Sequence, residues 1–505
     1  MNFLPQWTER NPKRGLDPLG MQYTGVQVYQ TLLPGLSNVT LRARYYGLYC
    51  WASEIYAMHV GSDDIDAWRN FIRSLEALHA LVAVAVGENG GVAGVQWAER
   101  TLNQGDGTID FSEGASIVEG ADKYLQQSFG IYGQAYVSQL DTLGLFDNGG
   151  GELHDLPMRT ALGLSFANAF SASIGADAES LFVTSIMAKR IRREDLVRLA
   201  PVLPSNIPEG AETDLIETLL FAQFEDASDD DISRSRSLML ILHTADQLGR
   251  IPTSDEVREL LFDGDLKLPN ELEVQRLWWE TYQTQDMWQV AAATLLEWVS
   301  DLVNEFVDGR SLSELETEVT ARLLNYWPGQ ALTSWDEFRS GSPIENKELN
   351  AKWHMLLQRR GGVEARSFVA FELMGCLGRR LEAREDLRIR TAEVMDKGGY
   401  SRSIWTELTW LESRSGMQIS KLLAQYVAQR VAARHVSVAT QKLRRQNDYT
   451  FLFEPRDGRL TYRARYQPAA TSPRLGAAIQ FLRDIKLIDQ NGLTARGRSM
   501  IGPSE

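Results

Sequence analysis

The chain has 505 residues with 52 Lys and Arg against 67 Asp and Glu, a formal net charge of −15, and 44% hydrophobic residues, enough for roughly two to four domains and a large core. Its two cysteines, Cys50 and Cys376, exclude a disulfide framework and a cysteine-built zinc site, and fit a reducing cytoplasm. The opening MNFLPQWTERNPKRG holds no apolar core of signal-peptide length and the longest apolar run, 81–86, is too short to span a bilayer, so a cytoplasmic protein without membrane contact is expected.

Residues 38–60 read NVTLRARYYGLYCWASEIYAMHV. Asn38 is placed to cap a helix, and Leu41, Tyr45, Leu48, Ala52, Ile55 and Tyr56 share one of its faces. The helix is apolar nearly all round, which marks a buried element. Residues two apart point about 200° away from each other, so Arg42 and Arg44 cannot share one solvated patch. At least one is expected to be buried against a carboxylate from another segment, or to form an anion site with Asn38 and Thr40.

Ile65, Trp68, Ile72, Leu75, His79, Val82 and Val86 recur at spacings of three and four, so residues 62–86 form a helix with His79 on its core face. GENGGVAG (87–94) is a connection, since it lacks the preceding strand and the Lys-Ser/Thr pair of a phosphate loop. A polar loop covers 101–118, and a helix runs from about Ala121 into LDTLGLF. LGLFDNGGGELHDLPMRTALGLSFANAF (143–170) and IKLIDQNGLTARGRSMI (485–501) then share a pattern: a hydrophobic-Asp step, a Gly-bearing turn, a Leu and a helix. A helix, a small β-wing and a trailing helix look this way in winged-helix domains. For the first segment a plain helix–hairpin–helix connection reads the same.

Helices with acidic, capped starts continue from 178 to 330. EDASDDDIS (225–233) lacks the Gly and distal Glu of a calcium loop, and its acids suit a helix N-terminus. RLWWETYQTQDMWQVAAATLLEWV (276–299) reads as a core helix pair, because a base-stacking platform would interleave Lys and Arg. A linker is expected at about 328–346. Within it Glu345-Asn346-Lys347, with Asp336 upstream, imitates the Glu-x-Lys of metal-dependent nucleases, but Ser342-Pro343 reads as a helix cap followed by a first-turn proline.

The charge is uneven. From Lys421 to the end, 15 Lys and Arg face 6 acids, a balance of +9 that leaves −24 for the first 420 residues. On a helix from Met417 to about Arg445, Arg430, Arg434, Gln441, Arg444 and Arg445 fall within roughly a 100° stripe. A hairpin follows: Tyr449, Phe451 and Phe453 alternate before the turn at 455–458, and Leu460, Tyr462, Ala464 and Tyr466 after it. Arg459, Arg463 and Arg465 take its opposite face. Ser472-Pro473 is expected to cap a last helix (474–486), and Asn491-Gly492 closes a small wing. This basic end reads as a phosphate-facing surface or as a tail docked on the acidic body.

The expected fold is mainly α: an N-terminal helical domain (1–175) holding the first winged-helix-like candidate at about 120–170, an acidic helical domain (176–330), a helical connector (345–415) and a basic winged-helix-like domain with a β-hairpin (416–505). Four stretches, DPLGMQ (17–22), LLPGLSNVTLRARYYGLYCW (32–51), FIRSLEAL (71–78) and KLRRQNDYTFLFEPRDGRL (442–460), resemble a bacterial protein family with an LPG-x-x-x-x-T-x-R-A-R-Y-Y motif associated with phage-defence islands. The resemblance implies that setting and names no chemistry. The six histidines (59, 79, 154, 243, 354, 435) are scattered singly, so no catalytic residue, metal or cofactor is assigned. The combined expectation is a non-enzymatic component of a bacterial multi-protein defence system, with DNA on its basic end and partner subunits on its acidic body. Two alternatives stay open: a metal-dependent nuclease subunit, and a kleisin-like bridge in a chromosome-structuring ATPase complex.

Overall fold

The computed structural model describes residues 17–104, 107–147, 156–396 and 398–502. The protein is mainly helical, and strands occur among the described residues only as four two-stranded antiparallel pairs. Its described residues divide into two compact units: unit 1 holds 17–30, 258–265 and 273–473, and unit 2 holds 31–257, 266–272 and 474–502. The segment 416–505, expected as one basic winged-helix-like domain, is therefore divided after Pro473: its hairpin belongs to unit 1 and its terminal wing to unit 2.

Unit 1 is built on residues 273–304 of the helix Asn270–Asn304. Where a helix pair is expected at 276–299, one uninterrupted helix runs, because no Gly or Pro breaks it and Trp279, Trp288 and Trp298 are all buried along it. The helices Leu312–Tyr326 and Val363–Ala383 and the basic helix add Leu315, Phe371 and Val427 to the same core. The expected linker is also part of this core: Trp335 and Phe338 are buried on the helix Trp335–Ser340, which a Ser334–Glu337 capping box opens. The next helix, Asn346–Leu357, has Glu345 at its N-cap, so Ser342-Pro343 does not cap it and Glu345 and Lys347 sit at a helix start rather than on a strand.

The basic helix runs continuously over 419–446, with a wide π turn at Tyr426–Ala432. The hairpin pairs Phe453–Arg456 with Arg459–Tyr462 and buries Phe453 and Leu460. Its outer strand is tied to Arg310 by two backbone bonds, Leu460 N–H to the Arg310 carbonyl (2.7 Å) and the reverse (3.1 Å). Gly309 permits that approach, since a Cβ there would lie 1.9 Å from the Leu460 carbonyl oxygen.

In unit 2 the helix of the RARYY segment spans Tyr45–His59, not 38–60. Thr40 Oγ1 accepts from Ser37 N–H (2.7 Å) and Ser37 Oγ from Thr40 N–H (3.1 Å); this local turn competes with helix. Asn38 accepts from Arg474 N–H instead of capping. Residues 121–129 are not helical either. The buried Arg73 guanidinium takes the carbonyls of Ala115, Ser116, Leu125 and Gln127, which an α-helix would keep for its own ladder. Helix begins at Gly130, where Glu76 accepts from the N–H groups of Ile131 (2.8 Å) and Tyr132 (2.9 Å). The loop over 101–118 contains a strand, Thr108–Asp110, paired with Arg190–Arg192.

The two segments with a shared sequence pattern also share local structure, and both lie in unit 2. Each pairs two short strands, Phe146–Asp147 with Met158–Arg159 and Ile488–Asp489 with Gly492–Leu493. A threonine caps the following helix in each: Thr160 accepts from Gly163 N–H (3.1 Å) and Thr494 from Gly497 N–H (3.0 Å). Gly163 and Gly497 meet the carbonyls of Leu145 and Leu487 so closely that a Cβ would lie 2.2 and 2.1 Å from those oxygens. The helix preceding the last wing spans Leu475–Asp484, and Arg474, at φ 64°, occupies its N-cap in place of Ser472.

Candidate nucleic-acid interface

Arg42 and Arg44 are ion-paired inside unit 2. Arg42 Nε donates to both oxygens of Asp484 at 3.0 Å, its Nη1 to the Gly90 carbonyl at 2.7 Å, and Asp484 also accepts from Ala43 N–H at 3.0 Å. Arg44 pairs in bidentate fashion with Glu212, Nε to Oε1 and Nη2 to Oε2 at 3.0 Å each. These carboxylates occupy the place an external anion would take. Burial pushes the Asp484 carboxyl above its ordinary range, against the pull of Arg42.

The basic end of unit 1 is treated differently along its length. Arg430 and Arg434 both place Nη2 2.6 Å from Oε1 of Glu407, a fully buried carboxylate. Arg459 pairs with Glu314 (2.9 Å) and donates to the Asp308 and Gly309 carbonyls; Arg463 pairs with Glu454 (2.6 Å). Arg444, Arg445 and Arg465 are exposed and belong to none of the ion pairs among the described residues. The seven arginines thus do not form one free cationic surface, since carboxylates take four of them. The tail-docking alternative describes Arg430, Arg434 and Arg459, and in unit 2 Arg496, which meets Asp214 (2.7 Å) and Glu217 (2.6 Å).

A cavity of about 400 Å³ in unit 1 gathers a second, unpaired set of cations. Its walls are the start of the helix Gln22–Leu32, the segment 399–402 and the last turns of the basic helix. Arg402, Lys442 and Arg445 line it, and none forms an ion pair with a carboxylate among the described residues. The cavity's acid, Asp17, is committed to a helix start, with its two oxygens 3.0 Å from the N–H groups of Met21 and Tyr23. Lys442 Nζ donates to the Asp17 main-chain carbonyl (2.6 Å) and Arg402 Nη2 to Gln441 Oε1 (3.3 Å). Gly20, at φ +70°, lies against Arg402; a Cβ there would fall 2.1 Å from Nη1, so a side chain at position 20 would expel the guanidinium. Burial lowers the pKa of both Arg402 and Lys442, with Arg434 adding to the effect on Arg402 and Asp17 opposing it.

Of these cations, sequence reasoning singled out Arg445 alone. Lys442 lies off the stripe as drawn, and Arg402 sits in GGYSRS, a loop with no charge run to mark it. The larger cavity in unit 2, about 660 Å³, concentrates no charge: Arg42, Arg483, Lys486 and Arg496 face Glu209, Asp484 and Asp489. A third, in unit 1, has Arg339 ringed by Asp336, Glu382 and Glu412. Among the described residues no group of three or more His, Cys, Asp or Glu is placed to hold a metal ion, and no helix is long and apolar enough to cross a membrane. No family model, no curated protein and no solved structure matches the chain.

Proposed function

We propose that the protein is a non-enzymatic nucleic-acid-binding component of a cytoplasmic bacterial defence system, and that it grips phosphate at the cavity of Arg402, Lys442 and Arg445. The observation that carries this reading is the contrast in charge compensation: these three cations line one cavity without a paired carboxylate, whereas Arg430, Arg434, Arg459 and Arg463 are neutralised within the same unit. Arg444, exposed beside Arg445 on the last turn of the helix, extends the positive charge into solvent. Such contacts bind backbone of any sequence and weaken with salt. The defence setting rests on the resemblance at 17–22, 32–51, 71–78 and 442–460. Association with partner subunits rests on the −24 balance of the first 420 residues.

The test is affinity for single-stranded and duplex DNA at several salt concentrations, for the wild type and an Arg402→Gln/Lys442→Gln variant. The variant should lose at least about tenfold in affinity for all sequences alike, with a shallower salt dependence, by roughly one unit of slope per phosphate contact removed. Equal affinities and equal slopes would overturn the reading.

A further inference from the structure

We infer that this cavity seats a single nucleotide, its phosphate on the three cations and its base against Tyr23 and Tyr400. The inference rests on the phosphate reading above and names its ligand. Both tyrosines line the cavity that Arg402, Lys442 and Arg445 line. Neither ring packs against another aromatic ring and neither hydroxyl has a hydrogen-bond partner among the described residues; Tyr23 is 60% exposed. Two buried tyrosines of unit 1 are used differently. Tyr282 packs edge-on against Tyr29 and bonds Thr471, and Tyr426 packs on Trp410 and accepts from Trp288. Two rings without aromatic partners beside three cations outside any ion pair fit a ligand that is flat and apolar at one end and anionic at the other.

A volume of about 400 Å³ lies within the ordinary range for small-molecule sites. Ser401 and Gln446 add hydrogen-bonding groups that a base edge can use. Duplex DNA offers phosphates to such a site but keeps its bases stacked on each other. An unpaired base is free to leave the stack and lie on an aromatic ring, with every base type accepted because every base has a π-face. The ligand is therefore either a nucleotide within a single strand or a free nucleotide, and binding should favour single-stranded over duplex nucleic acid.

The experiment measures binding of a labelled oligothymidine, a blunt duplex of equal phosphate count and AMP to the full chain, with melting curves for each variant. The wild type should bind the single strand at least about tenfold more tightly than the duplex. Tyr23→Ala and Tyr400→Leu should each lower single-strand affinity severalfold and leave duplex affinity unchanged, while Tyr23→Phe, which keeps the ring, should bind as the wild type. Competition by AMP would identify a free-nucleotide site, and competition by the oligonucleotide alone a strand-bound one; each supports the inference. If Tyr400→Leu unfolds, Tyr23→Ala at its exposed position decides. Tyrosine variants that bind the single strand like the wild type, while Arg402→Gln/Lys442→Gln still loses affinity, defeat the nucleotide and leave the phosphate site standing. An Arg402→Gln/Lys442→Gln variant that binds like the wild type defeats both.

Discussion

The middle and the last turns of the basic helix at 419–446 each carry cations and are chemically opposite. At the middle Arg430 and Arg434 converge on Glu407, which has no exposed surface; near the end Lys442 and Arg445 meet Arg402 across a cavity, without a paired carboxylate. The difference teaches that a count of Lys and Arg measures a phosphate surface poorly. What decides is whether a carboxylate has been placed within the fold to meet each guanidinium, as Asp484 and Glu212 meet Arg42 and Arg44 in unit 2.

The contrast breaks first at Glu407. Glu407→Gln leaves two guanidiniums beside a neutral amide in a buried site, and should cost about 3–5 kcal/mol of unfolding free energy in denaturant titration; nucleic-acid affinity measured below the transition should hold or rise. A variant as stable as the wild type would show that the pairing does not matter.

His435 lies between the two sets of cations and sharpens the comparison through pH. Its Nε2 accepts from Leu452 N–H (2.9 Å), so the proton sits on Nδ1, aimed at the Pro18 carbonyl (3.2 Å). Burial holds its pKa down to about 4. The unfolded chain takes up the proton near pH 6.5 and the folded chain only near 4, so the stabilising contribution is present above pH 6.5 and lost as the pH falls toward 4, by about 2–3 kcal/mol. Thermal melts across that window should show the loss, and His435→Gln should flatten it.

Asp263 is the converse, a half-buried carboxyl outside the ion pairs among the described residues, accepting from Asn350 Nδ2 at 3.0 Å. Burial raises its pKa to about 6, so its contribution is present below about pH 4 and lost as the pH rises through 6. Asp263→Asn should therefore raise stability at pH 7 by about 1 kcal/mol once solvent screening is allowed for, and leave it unchanged at pH 4. The smallest effect belongs to Arg459, paired with Glu314 where both are well exposed. Arg459→Gln should change the melting stability by about 0.5 kcal/mol or less, and a larger loss would mean that its bonds to the Asp308 and Gly309 carbonyls hold the hairpin.

The parts of this molecule that were legible in its sequence are those held by neighbours. In each of the two wing segments the threonine donates its N–H to an upstream leucine carbonyl and accepts from a downstream glycine N–H, all within about 20 residues, so two distant stretches spell the same structure. The apolar surroundings of Arg42 and Arg44 likewise show that these side chains require anions. Which anions is another matter, since Glu212 and Asp484 lie 168 and 442 residues away. The cavity fails for the same reason: Lys442 is met by a carbonyl 425 residues earlier, and Arg402 is 39 residues from Gln441, with no periodicity linking them. The late start of the Tyr45 helix and the missing helix at 121–129 come from side chains, Ser37, Thr40 and Arg73, that outbid the backbone for its own hydrogen bonds.

Asp484 has a consequence for how the chain is made. Unit 2 begins with residues 31–257 and receives 474–502 only after most of unit 1, residues 258–265 and 273–473, has been laid down between them. At roughly 5–20 residues per second, a ribosome needs on the order of 20–90 s to travel from Arg42 to its carboxylate, and for that interval the segment before the Tyr45 helix carries an arginine whose buried seat has no counter-charge. Unit 1 is complete in sequence by Pro473, before unit 2 can seal. The nascent chain should therefore offer a chaperone or a protease the Arg42 region last of all, and a truncation just short of Asp484 should leave that region digestible while the segments of unit 1 resist.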